Sequence, residues 1–453
     1  MGSMPLTGIE IYKLLPRTNC KECGVPTCLA FAMNLAAGKA ELAACPHVSE
    51  EAKAKLEEAS APPIRPVVIG AGEGQVKIGG ETVLFRHEKR FENPTAIAVH
   101  LSDAMTDADI EERLRKFKEL RYERVGLLLK PDMVAVESAS GDAERFAQVV
   151  SRVQAETGGA AMILMSEQPQ VLARALNAVP GAKPLLYGVT AENMEAMLAL
   201  AKEHGCSLAV KGQGVEAASA ISEKLLDKGC KHVVIDDGAR DLKTAFEGQV
   251  AIRRAALLNK FRPLGFPTIV FPMRMTQDPM KETLLAATFI AKYGGIVVLS
   301  DLEGHSLFPL VVARMNLFTD PQRPMATTEG IYPIGNPDEK SPVLVTSNFS
   351  LTYFIVSGEV ENSRIPAWLL VQDTEGLSVL TAWAAGKFVA DTIAAFVKKC
   401  GIAERVSHHR LVIPGHLAPE SGALEDELKG WQVLVGPREG AHIPAYLKNW
   451  QVA

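Results

Sequence analysis

Short apolar runs alternate with longer amphipathic stretches through the middle of this chain. The runs are TAIAVHL from residue 95, RVGLLL from 124, AAMILM from 160, PLLYGV from 184, SLAVKG from 207, HVVIDD from 232, TIVFP from 268 and IVVLSD from 296. Between them lie segments whose apolar residues recur three and four apart, such as DADIEERLRKFKEL, DAERFAQVVSRVQ, ENMEAMLALAKEH and VEAASAISEKLLDK. Short uninterrupted runs fit strands buried on both faces, and the longer periodic segments fit helices packed by one side. Eight such pairs over about 230 residues predict a central (β/α)8 TIM-type barrel at 93–325, with a doubly wound open sheet as the competing arrangement.

After about residue 325 the pattern changes. Three further strand–loop–helix units follow: PAWLLVQDTEGLSVLTAWAAGKFVADTIAAFVKKC, RLVIPGHLAPESGALEDELKG and WQVLVGPREGAHIPAYLKNW. They predict an open parallel, Rossmann-like α/β domain at 326–453, whose ligand sits beyond the carboxyl ends of the strands. The loops there are Asp373–Ser378, Pro414–Leu417 and Gly436–Glu439. Thr374 can cap a helix beginning near Leu377, which leaves Gly376, Ser378 and nearby backbone N–H groups to face a ligand. The stretch VLVTSNFSLTYFIV adds Thr346, Asn348 and Thr352 as small polar groups beside apolar ones. Such a lining suits a large, flat, amide-fringed ligand; plain α/β packing with Ser and Thr as helix caps is the alternative.

Ahead of the barrel, QVKIGGETVLF predicts a hairpin turning at Gly79-Gly80. The string GAGEGQ at 70–75 lacks phosphate-loop spacing and reads as a turn. SAPPIRP is a proline-rich hinge following a charged helix at Glu50–Glu58, which makes 61–92 a linker with a hairpin and 1–60 a separate small domain.

That small domain holds the clearest chemistry. Seven cysteines occur in the chain, and four of them, Cys20, Cys23, Cys28 and Cys45, fall in TNCKECGVPTCLAFAMNLAAGKAELAACPHVS. Gly24 and Pro26 bend the backbone between the first three thiols. A helix over Leu29–Lys39 returns the chain so that Cys45, followed by Pro46, supplies a fourth. Four thiolates with a proline after the last suit an iron–sulfur cluster, with Leu29, Phe31 and Leu35 as apolar shielding. Structural zinc is the alternative, but it usually takes two Cys-x2-Cys knuckles and only one is present. His47 reads as a solvated side chain. Cys206, Cys230 and Cys400 stand alone and read as buried thiols.

The charged strand ends of the barrel, His100, Asp103, Lys130, Glu167, Lys211, Asp236, Asp237, Arg274 and Asp301, form no recognisable catalytic set, so a structural or docking role is expected of them. Bulk properties narrow the rest. The chain has 453 residues, 47% hydrophobic and 22% charged, with a net charge of −5. That balance predicts a folded multidomain protein and argues against nucleic acid as a ligand. No apolar run is long enough for a membrane span, and the start lacks a signal-peptide pattern, so a reducing, cytoplasmic setting is expected. Met1, Gly2 and Ser3 read as a remnant ahead of a natural start at Met4.

Taken together, CKECGVPTC…CP, the eight βα units, TSNFSLTYF and VQDTEGLSVLTAW resemble the large (gamma) subunit of the corrinoid iron–sulfur protein of the reductive acetyl-CoA (Wood–Ljungdahl) pathway, over essentially the full chain. The resemblance implies a methyl carrier. A corrinoid cobalt takes a methyl group from methyltetrahydrofolate through a methyltransferase and passes it to acetyl-CoA synthase. It implies a four-iron four-sulfur cluster on the four cysteines that reactivates cobalt(II) to cobalt(I), served by a reductive activator or ferredoxin. It implies a heterodimer with a small (delta) subunit through the barrel. It also implies corrinoid contacts from Thr346, Thr352, Gly376, Leu377, Ser378, Val379 and Gly436. The Asp-x-His-x-x-Gly motif of many cobalamin proteins is absent; His408, His409 and His416 lack its context, which points to a base-off cobamide with no protein histidine on cobalt. Two other readings remain open: a ferredoxin-like redox enzyme with a barrel-mouth active site and a flavin or nucleotide in the C-terminal domain, and a scaffold with an architectural cluster.

Overall fold

A computed structural model describes residues 8–36, 40, 42–49, 52, 53, 56 and 61–451. The charged helix expected at Glu50–Glu58 falls largely outside the described residues, as does the end of the helix expected at Leu29–Lys39. The chain divides into two compact units. The first holds the described residues up to Tyr122 together with Leu128–Phe318, and the second holds Glu123–Leu127 with the described residues from Thr319 onward.

In the first unit, α1 (Gly8–Leu14) packs against α2 (Cys28–Ala36). Strand β1 (Val67–Ile69) then pairs antiparallel with β2 (Val76–Ile78). The hairpin therefore turns through GAGEGQ, not at Gly79-Gly80 as the pattern predicts. Gly79 serves a close crossing instead. Its φ is +77, and a Cβ there would stand 2.4 Å from the carbonyl oxygen of Arg65. Two backbones approach too nearly at that point for any side chain.

The barrel follows in chain order. It begins with β3 (Ala96–Ser102) and α3 (Asp107–Glu119), then a small hairpin of β4 (Tyr122–Arg124) and β5 (Leu127–Leu129), then β6 (Met133–Glu137) and α4 (Ala143–Glu156). Next come β7 (Ala161–Met165), α5 (Pro169–Ala178), β8 (Leu185–Val189), α6 (Met194–His204), β9 (Ser207–Lys211) and α7 (Val215–Asp227). It ends with β10 (Val233–Asp236), α8 (Leu242–Leu257), β11 (Ile269–Val270), α9 (Pro279–Ala291), β12 (Ile296–Leu299) and α10 (Gly304–Leu317). The sheet order is β10-β9-β8-β7-β6-β3-β12-β11, every pair parallel. A parallel bridge from Ile235 to Thr268 closes the ring, reinforced by the Ile235 N–H donating to the Pro267 carbonyl at 2.9 Å.

One predicted strand is displaced. RVGLLL does not enter the barrel; MVAVE at β6 takes its place. Val125 and Gly126 have φ of 54 and 70, the left-handed pair that a tight two-residue hairpin turn demands. Leu127 and Leu128 are correspondingly exposed. An apolar run here imitates a buried strand. Inside the ring, Ala98, Met133, Ala135, Ile163 and Val298 pack with Val67, Ile69 and Ile78 of the β1–β2 hairpin, all fully buried. The hairpin stoppers the amino end of the barrel.

In the second unit, β13 (Gly330–Ile334), β14 (Val343–Ser347), α11 (Ser350–Ser363), β15 (Ala367–Gln372), α12 (Val379–Ala384) and α13 (Ala390–Cys400) precede β16 (Arg410–Ile413), α14 (Ser421–Glu427), β17 (Gln432–Val435) and α15 (Ile443–Leu447). The sheet order is β13-β15-β14-β16-β17, with β13 antiparallel to β15 and the other pairs parallel. The pair β14–α11 is a fourth βα unit that the sequence pattern does not separate, and β13 adds an antiparallel edge.

Candidate functional site

In the second unit the chain leaves β14 for β15 on one side, then returns past β14 to β16 on the other. The carboxyl ends of β14 and β16 therefore part at a topological switch point, the usual place for a ligand in an open α/β sheet. A cleft of ≈ 930 Å³ lies there. Thr346, Thr352, Ser378, Val379, Pro414, His416, Gly436 and Arg438 contribute to its lining. Among the described residues the lining carries no carboxylate; Arg438 and His416 are its ionisable side chains.

Of the seven residues that the resemblance assigns to ligand contact, Thr346, Thr352, Ser378, Val379 and Gly436 line this cleft together. Gly376 and Leu377 do not. The Gly376 N–H is donated to the Asn348 side-chain oxygen at 2.9 Å, and Leu377 packs on the domain core. The helix after this loop starts at Val379, with Ser378 at its cap and the Ser378 hydroxyl 3.1 Å from that of Thr381. Thr374 is not a helix cap. Its hydroxyl lies 2.9 Å from both the Asn348 oxygen and the Leu377 carbonyl. Asn348 is likewise a loop fastener and not part of the lining.

Two features distinguish the lining of this cleft. Thr346 is 1% exposed, yet its hydroxyl has no hydrogen-bond partner among the described residues. A buried hydroxyl left alone is unfavourable by about 1–3 kcal/mol, so a ligand group meeting it gains that much. Gly436 forms the second feature, since a Cβ there would stand 2.9 Å from Val412 Cγ1 and 3.0 Å from the Ile413 carbonyl oxygen. The backbone is packed flush at the cleft floor. Residues missed in the sequence, such as Ile355, Gly440 and Ile443, carried no chemical signal; only the fold brings them to this lining.

The cysteine loop is the other candidate site. Cys28 opens α2 and is buried with Ile11, Leu15, Phe31 and Ala32, while Cys23 and Cys45 pack on that small core. The Cys28 N–H donates to the Asn19 side-chain oxygen at 2.8 Å. Phe31 and Leu35 belong to this core, but Leu29 is 44% exposed and shields nothing. Along the loop, φ is positive at Arg17, Asn19 and Lys21, every second residue, and again at Gly24. These left-handed residues bend the chain sharply around the first three cysteines. His47 is exposed, and its Nε2 lies 2.9 Å from Glu22 Oε2; the ligand atoms of Cys20, Glu22 and His47 fall within 4.8 Å of one another.

At the barrel mouth the charged groups answer one another. His100 Nε2 lies 2.7 Å from Glu137 Oε2, and Arg274 donates to Glu137 Oε1 at 2.8 Å. Glu137 is held below the usual carboxylate range, chiefly by the His100 hydrogen bond. Asp236 accepts Tyr187 and Arg240, each at 2.7 Å. Lys211 pairs with Glu167, Asp301 with Lys116, and Asp103 accepts the amides of Ala139 and Ser140. Burial raises the Asp237 carboxyl. Lys130 is not at the mouth at all, because it precedes β6 and so lies at the opposite end of that strand; its carbonyl accepts Arg314. The His100–Glu137 pair joins the neighbouring strands β3 and β6, while Tyr187–Asp236, Lys211–Glu167 and Arg274–Glu137 reach across strands that are not neighbours.

A family model described as CO dehydrogenase/acetyl-CoA synthase delta subunit matches residues 66–447. The chain is also 46% identical to the corrinoid/iron-sulfur protein large subunit of Moorella thermoacetica, over 98% of this chain and 99% of that one. The chain belongs to the corrinoid iron–sulfur protein large-subunit family. Archaeal members of the same family are named acetyl-CoA decarbonylase/synthase complex subunit gamma. That of Methanopyrus kandleri is 36% identical over 98% of both chains, and that of Methanothermobacter thermautotrophicus 35% identical over 98% of this chain and 99% of its own. A second model, for an Fe–S cluster, matches residues 15–47, the segment that holds all four cysteines of the loop. Among the described residues no helix is long and apolar enough to cross a membrane.

Proposed function

We propose that this chain is the methyl-carrying subunit of a methyltransferase and acetyl-CoA synthase system, with a corrinoid in the switch-point cleft and a four-iron four-sulfur cluster on Cys20, Cys23, Cys28 and Cys45. The observation that carries this reading is the cleft itself: a wide apolar floor, an unmet buried hydroxyl at Thr346 and a rim of small polar groups. These suit a flat macrocycle fringed with amides. The bound corrinoid would supply a cobalt whose reduced form is nucleophilic enough to take a methyl group from methyltetrahydrofolate, through a methyltransferase, and release it to acetyl-CoA synthase. The cluster would supply the electron that restores cobalt(I) after oxidation to cobalt(II), drawn from a reductive activator or ferredoxin.

The residues of the chain do the holding. Thr346, Thr352 and Ser378 would offer hydroxyls to the macrocycle's amides, Val379 and the Gly436 backbone would pack against it, and Gly376 and Leu377 would shape the loop beside it. No histidine is directed to cobalt in this reading. His408 is buried with its Nε2 2.9 Å from the Ser341 carbonyl oxygen, His409 packs on Trp431, and His416 belongs to the fringe of the cleft. A base-off cobalt without a strong axial donor is easier to reduce. The same reading divides the chain into a cluster domain at 1–60, a linker at 61–92, a barrel at 93–325 that pairs with a small (delta) subunit, and a corrinoid domain at 326–453, all cytoplasmic.

Elemental and absorbance analysis of the full chain, purified without oxygen and supplied with corrinoid, tests the proposal. Iron, sulfide and cobalt should be retained together. Zinc in the cysteine loop, or no cobalt after gel filtration, would overturn it; bound flavin would favour the redox-enzyme alternative.

A further inference from the structure

We propose that Arg438 makes the cleft selective for complete cobamides by binding the phosphodiester of their nucleotide tail. This rests on the corrinoid reading above and adds to it which part of the ligand is recognised.

A corrin ring with its amide side chains is matched by hydroxyls and backbone groups, and it gives a guanidinium nothing of opposite charge to meet. A complete cobamide differs from its truncated form, cobinamide, by a tail that carries one phosphodiester anion. The cleft has a counterpart for that anion. Among the described residues its lining contains no Asp or Glu, although the chain as a whole carries 53 acidic residues against 48 Lys and Arg. Arg438 makes no hydrogen bond or ion pair among the described residues, whereas the arginines of the barrel mouth, such as Arg240 and Arg274, are each paired to a carboxylate. Its backbone is fixed even though its side chain is exposed. The Gly415 N–H donates to the Pro437 carbonyl at 3.0 Å, and a Cβ on Gly415 would stand 2.7 Å from the Arg438 nitrogen. The arginine is thus held on a tightly seated loop in the cleft lining. A guanidinium suits this role, since it meets two phosphate oxygens with paired N–H donors.

Equilibrium binding of aquocobalamin and of diaquocobinamide to the full chain, freed of corrinoid, tests this by ultrafiltration and absorbance. The wild-type chain should bind the phosphate-bearing compound about tenfold more tightly. Arg438→Gln should remove most of that preference and leave cobinamide affinity unchanged, which also shows that the variant is folded. Arg438→Lys should keep part of it, as a point charge without the fork. A cobalamin-to-cobinamide affinity ratio in Arg438→Gln equal to that of the wild-type chain overturns the assignment while the corrinoid reading stands. Failure of the wild-type chain to bind either compound overturns both.

Discussion

The side-chain oxygen of Asn348 accepts the backbone N–H of Gly376 at 2.9 Å, and the same atom accepts the N–H of Thr374 at 3.0 Å. Asn348 lies just beyond β14, so one amide ties the end of that strand to the loop after β15. Its Nδ2 donates to Asp373 at 2.8 Å, which completes the clamp. Asn348→Ala leaves two buried amides without a partner and should destabilise the second unit by about 2–3 kcal/mol. The check is the urea midpoint of the variant, read with retained corrinoid; an unchanged midpoint would refute the clamp.

Gly376 itself has φ +74, and a Cβ there would approach the Pro324 carbonyl oxygen to 3.0 Å. Gly376→Ala should cost about 1–2 kcal/mol from the left-handed backbone and the close contact. A melting curve of the variant measures it, and a wild-type melting temperature would show that the loop yields.

The cysteine loop makes a sharper demand. Replacing any of Cys20, Cys23, Cys28 or Cys45 by serine should lower bound iron and sulfide severely. Cys206→Ser should leave both unchanged, since burial pushes that thiol up to about 12 and away from thiolate chemistry. Iron and acid-labile sulfide assays separate the two groups. Full iron in Cys45→Ser would remove the fourth ligand from the proposal.

Acid should act through Glu137. Its folded carboxyl titrates below the ordinary value because of the hydrogen bond from His100 and the charges of Arg274 and Lys211. A depressed folded pKa stabilises the native state at pH values above the unfolded carboxylate value of about 4.3, and the benefit disappears as pH falls through the folded value. Glu137→Gln should therefore be less stable than wild type by about 1 kcal/mol at pH 7, with the gap closing below about pH 4. Denaturation at a series of pH values provides the measurement. A gap that persists into acid would show that shape, not charge, is responsible.

His416 is the histidine of the cleft lining, so it decides the axial question. The electron paramagnetic resonance spectrum of the cobalt(II) form should show no nitrogen splitting from the protein, and His416→Ala should leave it unaltered. Splitting that vanishes in the variant would place an imidazole on the metal.

How far the chain announced this arrangement depends on where the signal lies. The barrel strands were readable because strands buried on both faces need uninterrupted apolar runs, as in Met162–Met165 and Val233–Ile235. The misplaced strand at 124 shows the limit: Leu127 and Leu128 have the right composition, but their exposure is set by Val125 and Gly126 in a left-handed turn, and a β-branched residue gives no hint of that backbone. The cysteines declared themselves by spacing. The cleft did so only in part, because hydroxyls near strand ends are visible in sequence, whereas the fastening of Gly376 by Asn348 joins residues far apart in the chain.

Pro333 sits within β13, the outermost strand of the five-stranded sheet. A proline offers no N–H to a neighbouring chain, and edges so interrupted resist being extended by another strand. Strand addition along that side of the sheet is thereby disfavoured, so a protein docking there would have to recognise side chains and not extend the sheet with its own backbone.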